Sequence, residues 1–71
     1  MKKEAIEKLL AAQPFQPFCF IMPKGEKVCV DNPELAEVPR KGNNLVVWEG
    51  ETSAYSVVSL PHVNRIEPRA V

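Results

Sequence analysis

Proline and glycine interrupt this chain everywhere except at its start. All seven prolines and all three glycines fall between positions 14 and 68. Proline fixes φ and lacks an N–H donor, so helix interiors reject it, and the residue before it is driven toward extended conformations. Glycine supplies the positive φ of tight turns. These interruptions leave room for one helix before Pro14 and only short extended segments after it.

Residues 2–12 carry the helical signal. Ala5, Ile6, Leu9 and Leu10 recur at spacings of three and four and make one apolar stripe, with Lys2, Lys3, Glu4, Glu7 and Lys8 around it. A helix this short does not hold itself together in water. Its stripe must dock on the rest of the chain or on another chain. Residues 13–17 form a Pro/Phe connector. Pro14 and Pro17 favour an extended, polyproline-like path, and Phe15 and Phe18, also three apart, share one side of it. Leaving both rings in water would forfeit the gain from burying them. The connector therefore reads as a packed staple between helix and sheet, in preference to an exposed proline-rich ligand.

Strand signals follow, at residues 18–22, 27–31, 35–38, 45–49, 54–60 and 63–67. Turn or breaker residues separate them: Pro23-Lys24-Gly25, Asn32-Pro33, the 39–44 stretch with Pro39 and Gly42, the 50–53 stretch with Gly50, and Pro61-His62. Short strands spaced about 8–12 residues apart with such turns suggest a sandwich or barrel. Residues 68–71 are expected to fray. The predicted fold is mainly β (α+β), one domain over residues 1–71. An N-terminal helix precedes a five- to six-stranded bent antiparallel sheet of the small-barrel kind over 18–67. The predicted core is Ile6, Leu9, Leu10, Phe15, Phe18, Phe20, Met22, Val28, Val30, Leu35, Val46, Val58 and Ile66.

Register can be read at one place. If Pro23-Lys24-Gly25 is a three-residue hairpin loop, Met22 faces Glu26, Phe20 faces Val28, Cys19 faces Cys29 and Phe18 faces Val30. Phe18, Phe20, Met22, Val28 and Val30 then share the core face, and Cys19, Ile21, Lys27 and Cys29 the other. A loop one residue shorter or longer would separate the cysteines across faces. As cross-strand neighbours they are candidates for a disulfide or for part of a metal site. The alternative is a pair of small, half-buried apolar thiols, favoured because zinc sites usually gather four ligands in close pairs and the chain has one histidine and no C-x-x-C.

Composition narrows the function classes. The chain has 71 residues, and a domain near this size buries only about 60% of the surface its unfolded chain exposes. Self-association would add stability, so a homo-oligomer is expected. Nine basic residues balance nine acidic ones, without the basic excess of a dedicated DNA-binding domain. No apolar run approaches the roughly 18 residues that span a bilayer, so no membrane partner is expected. No hydrophobic stretch of a signal peptide follows Met1-Lys2-Lys3-Glu4. The expected location is cytoplasmic, where both cysteines are expected as thiols.

Little in the sequence points to catalysis. There is no phosphate-binding glycine loop, nucleophile elbow or paired-carboxylate motif. His62 sits in a turn beside Pro61. Ser56, Ser59 and Glu67 lie near it in sequence, but none at a spacing that assigns general acid–base or nucleophilic work. It reads as an exposed turn residue, or else as a ligand contact. Trp48 and Tyr55 flank the 50–53 turn on neighbouring strands, where they would fill the core or form an aromatic platform for a base or peptide. Lys24, Lys27, Arg40, Lys41 and Arg65 are scattered over turns and strand ends, a pattern that serves solubility. No catalytic, cofactor or metal residues are assigned. His62, Trp48, Tyr55, Lys24, Lys27 and Arg65 are the candidate partner surface.

Two resemblances bear on this. Gln13-Pro14-Phe15-Gln16-Pro17-Phe18, Lys24-Gly25-Glu26, Asn32-Pro33-Glu34-Leu35, and Leu60 with Val63, Arg65, Ile66 and Glu67 resemble a group of short bacterial proteins. Those share an N-terminal helix, a PFxPF segment, a glycine turn, a Pro-Glu pair and a closing Val-x-Arg-Ile-Glu. The likeness covers nearly the whole chain, has structural motifs and implies no function. The order of helix, bent sheet and short turn before a last strand is also similar to the Sm-like fold of bacterial RNA chaperones. There a Lys-His pair before the last strand contacts uridine-rich RNA. His62 holds a comparable place, but Pro61 stands where that family has lysine. An SH3-like barrel, with its 3-10 turn before the final strand, fits residues 60–63 equally well. The expectation is a non-enzymatic protein-interaction or oligomerising module whose partner is a protein, its own copy or another chain. The alternatives are an Sm-like RNA-binding protein and an accessory subunit contributing to a shared active site.

Overall fold

The structure, a computed structural model, describes residues 2–50 and 52–69. Helix α1 runs from Lys3–Ala11. Ile6 is fully buried, and Leu9 and Leu10 pack against the same core, whereas Ala5 points to solvent. The apolar stripe thus docks on this chain's own sheets. Lys3 Nζ donates to the carbonyls of Pro39 and Arg40 at 3.2 and 3.1 Å, tying the start of the helix to a distant loop. Ala12 is already extended and the Gln13–Pro14 bond is cis. Phe15 of the connector rests against the core, 6.1 Å from the ring of Phe18.

Six strands follow: β1 (Phe18–Ile21), β2 (Lys27–Val30), β3 (Ala36–Glu37), β4 (Asn44–Trp48), β5 (Tyr55–Ser59) and β6 (Arg65–Pro68). They form two three-stranded antiparallel sheets, in the orders β2-β1-β6 and β3-β4-β5. This corrects the expectation of one continuous bent sheet. The division falls where the backbone leaves the extended region. A 3-10 turn at Pro33–Leu35, capped by the Asn32 side chain accepting from Glu34 N–H at 3.0 Å, separates β2 from β3. A second, Leu60–His62, separates β5 from β6. Proline stands near the start of both, where a missing N–H costs least.

The hairpin between β1 and β2 has the predicted loop and register. Met22 N–H donates to Glu26 O at 2.8 Å, Gly25 takes a φ of +88°, and Cys19 lies opposite Cys29. The thiol expectation is corrected: Cys19 and Cys29 are joined by a disulfide. β6 returns along the other side of β1 and pairs Phe18 with Pro68. Arg69 continues this by donating its N–H to Pro17 O at 3.0 Å and pairing with Asp31. Residues 68 and 69, expected to fray, are therefore held; residues 70 and 71 lie outside the described residues.

The core lies where the inner faces of the sheets meet. Phe18, Phe20 and Val30 come from one sheet, Leu45, Val47 and Val58 from the other, with Leu60 from the second 3-10 turn and Ile6 from α1. Phe18 and Phe20 meet edge-on, with centroids 5.4 Å apart, the arrangement ring quadrupoles favour. The predicted core changes in several places. Val46 faces outward, and its neighbours Leu45 and Val47, not among the predicted core, face in; the fully buried Leu60 was not anticipated either. Leu35 is half-buried, as are Leu9, Leu10, Phe15, Met22, Val28 and Ile66, which pack against the cluster. No helix among the described residues is long and apolar enough to cross a membrane.

Candidate interaction surfaces

The predicted site residues divide between two surfaces, with His62 apart from both. The first surface is built by β4 and β5. Their register puts Trp48 opposite Tyr55 and Val46 opposite Val57, all on the outer face of the second sheet. The Trp48 and Tyr55 rings lie 5.1 Å apart. Trp48 is half-buried, whereas Tyr55 and Val57 are each 57% exposed. The two aromatics therefore form an outward-facing pair and do not fill the core.

The edge of β5 belongs to the same surface. Glu49 N–H donates to Ala54 O at 2.9 Å and Leu60 N–H to Asn43 O at 2.8 Å. Bonded and non-bonded pairs alternate along an antiparallel ladder, so Ser56 and Val58 direct their N–H and C=O groups toward β4. Those of Tyr55, Val57 and Ser59 point away from it. No strand among the described residues pairs with β5 on that side. A groove of about 470 Å³ opens there between β5 and the β1–β2 hairpin. Met22 and Val28 line its far wall, and Lys24 and Glu26 stand at its rim. Lys24 thus joins the first surface. Edge strands are usually guarded by charge, proline or a bulge. β6 has Arg65, Glu67 and Pro68; β5 reads Tyr-Ser-Val-Val-Ser and has none of these.

The second surface is the outer face of the first sheet. Lys27 and Arg65 lie on either side of Ile21 in the register, and Cys29 and Glu67 on either side of Cys19. Cys19 and Ile21 are only 5% and 4% exposed although they face away from the core. Arg65 Nε donates to Glu67 Oε2 at 2.7 Å, and Arg69 Nε lies 2.8 Å from Asp31 Oδ1. Both pairs are solvent-exposed and add little stability. The disulfide, Ile21, Lys27 and Arg69 line an open pocket of about 250 Å³.

His62 is exposed in the second 3-10 turn. Among the described residues no three metal-ligating side chains come together. Sequence reasoning missed Val57, the β5 edge and the pocket over the disulfide. The absence of charge and proline from residues 55–59 was the available signal for the edge, and the cysteine register was the signal for the pocket. Compared with protein-family models, curated proteins and solved structures, the chain matches none.

Proposed function

We infer that this protein is a non-catalytic interaction module that accepts an extended segment of a protein partner as an added strand on β5. One observation carries the reading: the unguarded edge of Tyr55, Val57 and Ser59 opens onto a groove lined by Met22, Val28 and Val57. Added strands gain affinity from main-chain hydrogen bonds and specificity from alternate side chains that enter pockets. Here alternate residues of the guest would meet the apolar groove on one side and the Trp48–Tyr55 face on the other. We read the fold as a small barrel of the SH3-like or Sm-like kind. Its support is the connectivity: a hairpin, a three-stranded meander, a 3-10 turn, and a last strand beside the first.

The test is peptide selection against the immobilised protein from a random display library, followed by titration of the selected peptides by NMR. The reading expects peptides with apolar residues at alternate positions and saturable shifts at the Tyr55, Val57 and Ser59 amides. Val57→Pro removes an outward N–H without removing a bond to β4, and edge strands tolerate proline. It should leave the fold intact and abolish binding. Unchanged affinity in Val57→Pro would overturn the reading. Salt-sensitive binding of uridine-rich RNA that perturbs Trp48 and not the β5 amides would replace it with the RNA-binding alternative.

A further inference from the structure

The two ends of the Cys19–Cys29 bond are unequally exposed: Cys19 is buried and Cys29 is half-buried. Met22 and Glu26 form a hydrogen-bonded pair. Alternation then makes 20–28 and 18–30 bonded pairs and leaves 19–29 as a non-bonded pair. The ladder bonds on both sides of the cysteines hold the strands in register without the sulfurs. Opening the disulfide would leave both sulfurs facing each other, ready to close again.

Thiolate attack on a disulfide proceeds through a mixed disulfide, with the nucleophile approaching in line, opposite the sulfur that leaves. An attacker of Cys19 would have to arrive from the β6 side. There Glu67 stands opposite Cys19, and Cys19 is 5% exposed. An attacker of Cys29 arrives from beyond β2, an edge strand whose outer side has no paired strand among the described residues. Cys19, Cys29 and Glu67 all line the open pocket, but of the two cysteines only Cys29 is half-buried rather than buried. On the same face, two residues away, stands Lys27, which has no ion-pair partner among the described residues. The other rim charges are matched, Arg65 by Glu67 and Arg69 by Asp31. The pocket mouth therefore carries one uncompensated positive charge.

We propose that Cys29 is a thiol-exchange site for small thiols carrying carboxylate or sulfonate groups, with Lys27 binding the anionic group and Cys19 acting as the resolving cysteine. The incoming thiolate forms a bond to Cys29 Sγ as the Cys29–Cys19 bond breaks. Cys19 Sγ leaves with the electron pair and takes a proton from solvent. The reverse attack by the Cys19 thiolate on Cys29 Sγ expels the small thiol and restores the protein disulfide. A second small thiolate attacking the sulfur of the bound thiol instead releases a symmetrical small disulfide and leaves both cysteines reduced. This proposal is independent of the β5 edge.

The test uses the whole oxidised chain and three matched small thiols: 2-mercaptoethanesulfonate (anionic), 2-mercaptoethanol (neutral) and cysteamine (cationic). Each rate is divided by that thiol's rate with neutral hydroxyethyl disulfide, which removes differences in intrinsic reactivity. Reactions are quenched in acid, and the adduct is located by peptide mass spectrometry. The expected result is an adduct on Cys29 and corrected rates that fall severalfold from the anionic to the cationic thiol at low salt. Lys27→Gln, a change at an exposed side chain, should flatten that order while circular dichroism is unchanged. An adduct on Cys19, rates indifferent to thiol charge, or reaction only after unfolding would each overturn the proposal.

Discussion

Reducing the Cys19–Cys29 bond should weaken the fold by a calculable amount without unfolding it. The bond closes a loop with a sequence separation of 10. In the chain-entropy account, releasing a loop of that size returns about 2.7 kcal/mol of freedom to the unfolded state at 25 °C. A chain of 71 residues has a total stability of roughly 3.5–10 kcal/mol at typical values per residue. The loss is therefore large but survivable, provided the 18–30 and 20–28 ladder pairs hold the hairpin. It corresponds to a fall in Tm of roughly 10–20 °C for a domain of this size. The assay is urea and thermal unfolding, followed by circular dichroism and Trp48 fluorescence, with and without a phosphine reductant. The oxidised protein should also show the smaller urea slope, because a cross-linked unfolded chain exposes less surface. A loss below about 1 kcal/mol with an unchanged slope would mean that the hairpin persists in the unfolded state and that loop entropy is the wrong account. Complete unfolding on reduction would mean that the ladder cannot hold β1 and β2 together alone.

Further substitutions separate core from surface. Phe20→Ala, at a fully buried ring, should cost about 3–5 kcal/mol in urea unfolding. Val47→Ala should cost roughly 2–3 kcal/mol and Val46→Ala less than about 1, because only Val47 faces the core. Equal costs would place the strand in the wrong register. Gly25→Ala meets no atom within 4 Å but must adopt a φ of +88°, so it should lose about 1 kcal/mol through the backbone alone. Val57→Lys at the exposed β5 edge should leave stability within about 0.5 kcal/mol and lower any self-association seen by light scattering at high protein concentration.

What could be read from the sequence was local. The helix followed from a periodic stripe stopped by Pro14, and the hairpin register from a three-residue loop, which put Cys19 opposite Cys29. The expectation of free thiols came from compartment and from the lack of metal-ligand spacing; the register made the bond a candidate without deciding it. Strand β4 was placed but its facing was misread, because residues 45–48 are continuously apolar. Without alternation, only packing against the other sheet decides that Leu45 and Val47 turn inward and Val46 outward. Leu60 was passed over because it adjoins Pro61 and ends a strand, whereas the 3-10 turn that begins there drives it into the core. The β5 edge and the division into two sheets depend on strand order, a property of distant pairings that no short window contains. Of the candidate surface residues, Trp48 and Tyr55 stand together on one face, and Lys27 and Arg65 flank Ile21 on another. Sequence reasoning did not separate those two surfaces from His62.

The position of β1 has a consequence for how the chain is made. Its hairpin partner β2 emerges almost at once, but its other partner, β6, emerges only after residues 65–68 have been synthesised. Until then Phe-Cys-Phe-Ile, the most deeply covered strand of the fold, is an uncharged apolar segment with one edge open. Open edges of that kind recruit other strands. A chain stalled or cut before Arg65 should therefore be more prone to aggregate than one that includes residues 65–68. On this reading, a main task of the last strand is to keep nascent copies of the protein from pairing with one another.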